Sequence, residues 1–368
     1  MKVNNLNIKT KNNTYPVIIG NNLLKNFFNI IKKNSLNFNQ CLIVIDSKVP
    51  KKFLYQIKSS LKNKKKIIYL FKSNEVNKNI NSFNKILEIL LKSNFHRNDC
   101  LISIGGGITG DVSGFAASVF KRGIKFINIP TTLLAQVDSS IGGKTGVNTN
   151  FGKNLLGSFY QPSLVISDIN FLKTLPKREI VCGYAEILKH SLILNKKFFL
   201  FLDKFAKKIF DFDNLVLQKA IYQSCLIKKK IVENDENEIS LRKILNFGHT
   251  FAHAFEAKMN FSKKLNHGEA VLLGINSAVN FSFKKKMLNK KDYNLIKNHL
   301  KKYILPNKIS KYFVKNDINI ILNYMQKDKK NKNNNINLVL LKKIGKANYN
   351  YYTNKKILKK FLTNELID

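Results

Sequence analysis

Two histidines placed four residues apart give the clearest indication of chemistry in the chain. His249 and His253 lie in NFGHTFAHAFE, with Glu256 at the end of the motif. On a helix this spacing puts both imidazoles on one face, where they can bind one zinc ion. The zinc-protease motif H-E-x-x-H is absent because Thr250 takes the place of its glutamate. The spacing indicates a metal site and does not indicate a protease.

Further candidate ligands occur in two other motifs, Glu186 in GYAEILKH and His267 in LNHGEAV. A catalytic zinc needs three protein ligands and an open position for substrate or water. The spacing alone leaves open which three groups bind the ion. Cationic and amide side chains lie within or between these motifs and suit a polyanionic substrate, with arginine best able to bind a carboxylate. These side chains are Lys189, Lys228, Arg242 and Asn246.

A glycine-rich turn, LISIGGGITGDVSGFAASVFKRG over 101–123, indicates a nucleotide site. Its glycines fit G-x-G-x-x-G, with a predicted strand before them and a predicted helix opening at Asp111. Such a turn lets the backbone approach a phosphate that the helix start attracts. The usual acid about 20 residues further on is missing, because the next one is Asp138. A turn that only shapes the chain is the alternative interpretation.

The stretch 131–157 is rich in small and hydroxylated residues. Gly143-Lys144-Thr145 imitates the end of a phosphate-binding loop, but Asp138 stands where that loop needs its first glycine. An acid opposite a lysine suits a hydroxylated anionic substrate better than a triphosphate.

Short apolar runs alternate with helical segments through the first half of the chain. The runs include CLIVID, KIIYLF, LISI and KFINIP, and this alternation predicts a parallel α/β sheet with ligands at the carboxyl ends of its strands. Asp46 ends one run, where it can accept the hydroxyls of a nucleotide ribose, and Glu75 and Lys78 follow the next. The strand series ends near Pro176, and helical spacing dominates afterwards. We therefore expect a Rossmann-like α/β domain over 1–176 and a mainly α-helical domain over 177–368.

Charge and cysteine usage narrow the function further. The 368 residues carry a formal net charge of +41, from 64 Lys and Arg against 23 Asp and Glu. Such a charge attracts anions, but its lysines are scattered with Asn and Ile, so we expect no nucleic-acid partner. Four distant cysteines without C-x-x-C spacing indicate a reducing compartment. With no signal peptide and no apolar span, we expect a cytoplasmic protein without a membrane partner.

Taken together, the motifs resemble the 3-dehydroquinate synthase family over nearly the whole chain. The resemblance rests on several motifs in one order, which is far more specific than a single glycine turn. They are GGGITGDVSGFAASVFKRG, PTTLLAQVDSSIGGKTGVN, GKNLLGSFYQP, FLKTLP, GYAEILKH, RKILNFGHTFAHAFE and NHGEAV, with MQKDKK as a later block.

The resemblance implies an α/β domain and a helical domain with the active site in the cleft between them. It also implies conversion of 3-deoxy-D-arabino-heptulosonate 7-phosphate to 3-dehydroquinate and phosphate, a step of the shikimate pathway. In this family NAD transiently oxidises the C5 hydroxyl, phosphate is eliminated, the ketone is reduced again, and the opened ring closes by an aldol step. Another sugar-phosphate cyclase and a polyol dehydrogenase of related architecture are the alternatives.

The resemblance implies roles for individual residues. The metal ligands, for zinc or cobalt, would be Glu186, His249 and His267, and His253 would face the substrate. The other substrate-site residues would be Asp138, Lys144, Asn154, Lys189, Lys228, Arg242 and Asn246. Arg122 would reach the partner's site in a homodimer, and Lys329 or Lys330 would close over the phosphate.

The same matching implies which residues bind NAD. They are Asp46, Ser73, Asn74, Glu75, Val76, Asn77, Lys78, Gly107, Ile108, Thr109, Gly110, Asp111, Thr131, Thr132, Lys144, Lys153, Phe171, Leu172, Lys173 and Thr174.

Overall fold

A computed structural model of the chain describes residues 3–327 and 335–367. The strands are β1 Asn4–Lys9, β2 Thr14–Gly20, β3 Gln40–Asp46, β4 Lys65–Phe71, β5 Cys100–Gly105, β6 Lys125–Pro130, β7 Lys144–Thr149, β8 Gly152–Phe159, β9 Leu164–Asp168, β10 Ile336–Lys343 and β11 Lys346–Thr353. The α-helices are α1 Phe27–Lys33, α2 Lys51–Ser60, α3 Ile80–Lys92, α4 Gly107–Val119, α5 Lys177–Leu194, α6 Lys196–Phe210, α7 Asn214–Asn234, α8 His249–Lys258, α9 His267–Lys284, α10 Lys290–Lys302, α11 Ile318–Gln326 and α12 Lys355–Glu365.

The chain forms two compact units. The first runs up to Pro176 and also takes in Phe212–Asn237, and the second comprises Lys177–Asp211 and the residues from Glu238 onward. The sequence led us to expect 212–237 in the second domain. The structure groups this segment with the first unit because α7 packs against β1, β2 and the π-helical turn Ala135–Ser139.

The first unit is built on a sheet with the strand order β1-β2-β9-β6-β5-β3-β4, in which β1 alone among these strands pairs antiparallel with its neighbour. Successive side chains of β3 point to opposite faces. Ile43 and Ile45 pack with apolar residues of α1 and α2, whereas Leu42 and Val44 pack with those of α3 and α4. A sheet covered on both faces explains why the strands are continuous apolar runs, and it confirms the predicted α/β class.

Two details of the first unit differ from the sequence interpretation. Helix α4 begins at Gly107 and not at Asp111, because Gly106 already takes the N-cap position. The stretch 131–157, left without predicted elements, contains the π-helical turn and the antiparallel hairpin β7–β8. Gly146 and Gly157 face each other in this hairpin, where an added Cβ would meet opposing backbone at 2.4 Å and 2.1 Å. Because glycines face each other here, the sequence of the hairpin lacks the alternation of apolar and polar residues that would predict its strands.

The second unit is mainly helical, as predicted, with the small hairpin β10–β11. The segment 244–256, which has the spacing of a single helix in the sequence, is divided in the structure. Leu241–Asn246 is a 3-10 turn, Phe247 is non-helical, and Gly248 has a φ of 78° before α8 begins at His249. Helix α11 was not predicted from the sequence. In the described part of the chain, none of the helices combines the length and apolar character needed to cross a bilayer.

Candidate functional site

Three candidate ligands meet in the second unit. Glu186 lies in the middle of α5, His249 begins α8, and His267 begins α9. One potential ligand atom from each lies within 4.8 Å of the others. The Nε2 atoms of His249 and His267 lie 3.3 Å and 3.7 Å from Oε1 of Glu186. One carboxylate and two imidazoles at this spacing fit a single zinc-like ion with a fourth position left open.

Glu186 is fully buried, and its charge depends on its neighbours. Burial alone would raise the pKa of its carboxyl, but the Lys189 ammonium and His249 hold that pKa well below its usual range. Lys189 is itself buried and forms an ion pair with Glu186 one turn along α5. The Glu186 side chain is therefore an ionised carboxylate, the form in which it binds metal.

Both histidines turn the same ring nitrogen toward Glu186. Nδ1 of His249 lies 3.2 Å from the Phe247 carbonyl oxygen, and Nδ1 of His267 lies 3.3 Å from Oε2 of Glu256. Burial lowers the pKa of His249, with Lys189 adding to the effect. Burial also opposes charge on His267, but hydrogen bonding to Glu186 and Glu256 raises its pKa to about 10. Because Nδ1 of each ring faces an acceptor, the Nε2 atoms are the ones directed toward Glu186, and an ion bound there would displace the proton that His267 holds.

Close helix crossings bring the three ligands together. Gly268, next to His267, abuts α5 so tightly that an added Cβ would lie 2.1 Å from Cα of Cys182, one turn before Glu186. Gly248, next to His249, meets α9, where an added Cβ would lie 2.8 Å from the Ile275 nitrogen. The small residues beside the two histidines therefore set the separation of α5, α8 and α9 at the site.

His253 lies outside this three-residue group. Its ring is exposed and stacks edge-on against His249, with 5.3 Å between ring centroids. The helical spacing is thus real, but the ligand atoms that lie within 4.8 Å of one another join His249 to Glu186 and His267. Arg242 is buried in the 3-10 turn before α8, and in the same turn Asn246 donates to Glu238 Oε1 at 2.9 Å.

The first unit brings together several of the remaining candidates. Lys228 on α7 is buried and donates to Oδ1 of Asp138 at 2.6 Å, so an acid and a lysine from distant parts of the sequence form one polar pair. Lys144, by contrast, is exposed at the start of β7. Asp138 is therefore paired with a lysine that lies 90 residues away in the sequence.

A polar clasp, formed by residues 73–79 and the hairpin β7–β8, gathers predicted cofactor residues. Lys78 is buried and donates to Asp111 Oδ2 at 2.5 Å and to Asn154 Oδ1 at 2.6 Å. Burial raises the pKa of Asp111, and the Lys78 ammonium opposes the rise. Glu75 pairs with Lys153 at 3.1 Å and accepts from Asn148 at 2.8 Å. Burial would raise the Glu75 pKa, but Lys153 and Asn148 lower it.

We expect Lys78→Met to weaken both folding and NAD binding. The change leaves the Asp111 carboxylate without its buried cation, which typically costs about 3 kcal/mol of unfolding free energy. Urea unfolding and NAD titration would measure the two effects, with Lys72→Met, an exposed lysine before the clasp, as the matched control. Equal unfolding free energies for K78M and K72M would contradict the assignment.

The glycine turn joins β5 to α4 beside this clasp. An added Cβ at Gly105 would lie 2.4 Å from Thr109 Oγ1, so glycine is required for the tight turn. The first turn of α4 then presents unpaired N–H groups, as a phosphate site needs. Asp46 ends β3 half-buried, and Thr131 follows β6 with its N–H donating to the Gly105 carbonyl.

The remaining predicted site residues are exposed, buried in a separate turn, or outside the described residues. Arg122 is exposed, and it and Lys121 have φ values of 63° and 47°, a left-handed pair rare for residues with side chains. Phe171 and Leu172 are buried in the 3-10 turn after β9, whereas Lys173 and Thr174 are exposed. Lys329 and Lys330 lie outside the described residues. Sequence reasoning missed Asn148, whose only signal was its place in a polar stretch between two lysines.

Comparison with known proteins extends these observations. A family model described as 3-dehydroquinate synthase N-terminal matches residues 68–182, and one described as 3-dehydroquinate synthase C-terminal matches 183–331. A 3-dehydroquinate synthase of Pelagibacter ubique is 60% identical over 361 residues, which cover 98% of each chain.

Solved structures share the fold. A 2-deoxy-scyllo-inosose synthase, complexed with carbaglucose-6-phosphate, NAD+ and Co2+, has a TM-score of 0.88 at 25% identity, covering 98% of this chain and 100% of the other. A 2-epi-5-epi-valiolone synthase from Streptomyces hygroscopicus, with NAD+ and Zn2+ bound, has a TM-score of 0.85 at 23% identity, covering 97% and 98%. The two matched domains and the 60% identity place the chain in the 3-dehydroquinate synthase family.

Proposed function

We propose that this chain converts 3-deoxy-D-arabino-heptulosonate 7-phosphate to 3-dehydroquinate and phosphate, using NAD and one divalent metal ion. The observation that carries the proposal is the convergence of Glu186, His249 and His267 in a chain 60% identical to a relative named for this activity. The reaction eliminates phosphate and breaks a carbon–oxygen bond, so we assign the protein to the lyases. It belongs to the shikimate pathway, which supplies aromatic amino acids.

The residues of the second unit would act on the reacting hydroxyl and the substrate carboxylate. A divalent ion bound there would supply a Lewis acid for the C5 oxygen, and bound NAD would supply a hydride acceptor. Glu186, His249 and His267 would hold that ion, and His253, exposed beside His249, would exchange protons with the substrate. Arg242 would grip the carboxylate, because its planar fork matches the two oxygens. Lys189 keeps Glu186 ionised, and Asn246 would orient a hydroxyl.

The residues of the first unit would hold the cofactor and share the remaining substrate contacts. Glu75, Lys78 and Lys153 are fixed by the polar clasp, and the start of α4 would face the pyrophosphate. Lys228 and Asp138 would bind substrate as a pair, together with Lys144 and Asn154.

We further propose a cytoplasmic homodimer in which Arg122 contacts phosphate in the partner's site. The support for the role of Arg122 comes from its exposure and its backbone conformation. Arg122 is exposed and held in an unfavourable backbone conformation by the turn that ends at Gly123, and such strain is commonest at functional positions. Sedimentation of the purified chain tests the dimer, and loss of activity in Arg122→Ala with an unchanged dimer tests the residue.

Substrate discrimination separates this proposal from its alternatives. A cyclase whose sugar phosphate lacks a carboxylate has no use for the buried Arg242, and a polyol dehydrogenase needs neither Arg242 nor the lysines, because its substrate is uncharged. We expect phosphate release from the heptulosonate phosphate and none from glucose 6-phosphate, with either zinc or cobalt restored to metal-stripped protein. Release from glucose 6-phosphate would favour the other cyclases, and net accumulation of NADH would favour a dehydrogenase.

A further inference from the structure

Glu256 lies beside His267 without a role in the ligand set. Its two carboxylate oxygens are 3.4 Å and 3.3 Å from Nδ1 of His267, and its side chain is only 10% exposed. The other ring nitrogen of His267, Nε2, lies 3.7 Å from Oε1 of Glu186. The imidazole is thus held between two carboxylates, one at each nitrogen.

The position of Glu256 follows from the helix that carries it. Helix α8 begins at His249, and Glu256 lies seven residues later, about two turns along on the same face. Helix α9 packs along α8 and begins at His267. One helix therefore supplies both a ligand and the carboxylate that meets another ligand.

We propose that Glu256 is a positioning residue, which accepts a hydrogen bond from Nδ1–H of His267 and so holds the ring with Nε2 aimed at the metal. This inference rests on the metal requirement of the proposed function. A metal-bound imidazole carries one N–H, on the nitrogen away from the ion, and a carboxylate at Nδ1 accepts a hydrogen bond from that N–H. The ring cannot rotate away from Glu186 without losing the hydrogen bond to Glu256.

The second histidine shows the same arrangement with a different acceptor. Nδ1 of His249 faces the Phe247 carbonyl oxygen at 3.2 Å, and its Nε2 faces Glu186. Two histidines on different helices therefore have Nδ1 occupied and Nε2 presented to the same carboxylate. This agreement argues that the contact of Glu256 with His267 fixes the ring for ligation.

Metal affinity tests the role without relying on turnover. We would strip the wild-type protein and its Glu256→Ala and Glu256→Gln variants, then measure zinc affinity by competition with a chromophoric chelator and record the cobalt ligand-field spectrum. Loss of an outer carboxylate typically weakens metal binding about 10–100-fold, and we expect that loss for E256A. The nearly isosteric E256Q keeps an acceptor oxygen and should bind metal more tightly than E256A.

A matched control removes another acidic partner of α8. Asp317 pairs at 2.9 Å with Lys258, the last residue of α8, and accepts from the Val314 N–H, so Asp317→Asn should leave zinc affinity unchanged. E256A with wild-type affinity, E256Q as weak as E256A, or D317N as weak as E256A would each overturn the inference. In those cases the proposed function stands, provided that the wild type binds zinc. A wild-type protein that binds no zinc would overturn both.

Discussion

His267→Ala abolishes metal retention, whereas His253→Ala keeps the metal and loses turnover: this is the result we expect from paired variants of the two histidines. His267 presents Nε2 toward Glu186, and its removal leaves only two of the three candidate ligands. We expect zinc affinity to fall roughly 100-fold or more, since even the loss of a supporting residue costs about 10–100-fold. Zinc content after dialysis and chelator competition would measure the effect.

The His253 variant is the internal comparison. Its exposed ring lies beside His249 without joining the ligand group, so the metal should remain while kcat falls about 100-fold or more, as for loss of a proton-transfer group. Equal metal loss in the two variants would show that the helical pair His249 and His253 binds the ion. That outcome would contradict the ligand set proposed here.

Gly268→Ala should disable the metal site without touching a ligand. The new Cβ would lie 2.1 Å from Cα and 2.6 Å from the carbonyl oxygen of Cys182, both backbone atoms that cannot swing aside. Helix α9 must then move away from α5, which separates His267 from Glu186. We expect a loss of about 3 kcal/mol in unfolding free energy together with weaker zinc binding.

Gly20→Ala is a suitable control for this change. Its Cβ would approach only side-chain atoms, of which Leu23 Cδ2 is nearest at 3.0 Å, and these can adjust. Urea unfolding and zinc titration of both variants would separate a local packing cost from damage to the site. A G268A protein with the stability and zinc affinity of wild type would contradict the role given to this helix crossing.

Regular elements could be read from the sequence where one physical pattern dominates. The apolar runs of β3 and β5 are buried on both faces, and their composition alone predicts a covered parallel sheet. The hairpin β7–β8 could not be read in this way, because facing glycines and exposed side chains replace the usual alternation. The break before α8 could not be predicted, because the apolar residues of 244–256 keep helical spacing although the structure has a 3-10 turn and Gly248 there.

The candidate site was likewise predictable from the sequence only in part. Motifs pointed to Glu186, His249 and His267 individually, but helix spacing favoured the pair His249 and His253, which are closest in the sequence. Helix spacing carries no information about which helices cross. That information lies in Gly248 and Gly268, whose need for glycine appears only when the opposing backbones are in place. Likewise, nothing in the sequence pairs Lys228 with Asp138 or Lys78 with Asn154, because each contact joins distant segments.

Turnover with NAD far below the substrate concentration tests the central claim most directly. The proposed reaction returns the hydride in every cycle, so a trace of NAD should support complete conversion of the heptulosonate phosphate. Phosphate and 3-dehydroquinate should then appear in equal amounts without accumulation of NADH. Conversion that stops when the substrate consumed equals the NAD supplied, with NADH remaining, would contradict the proposal that NAD is regenerated in every cycle.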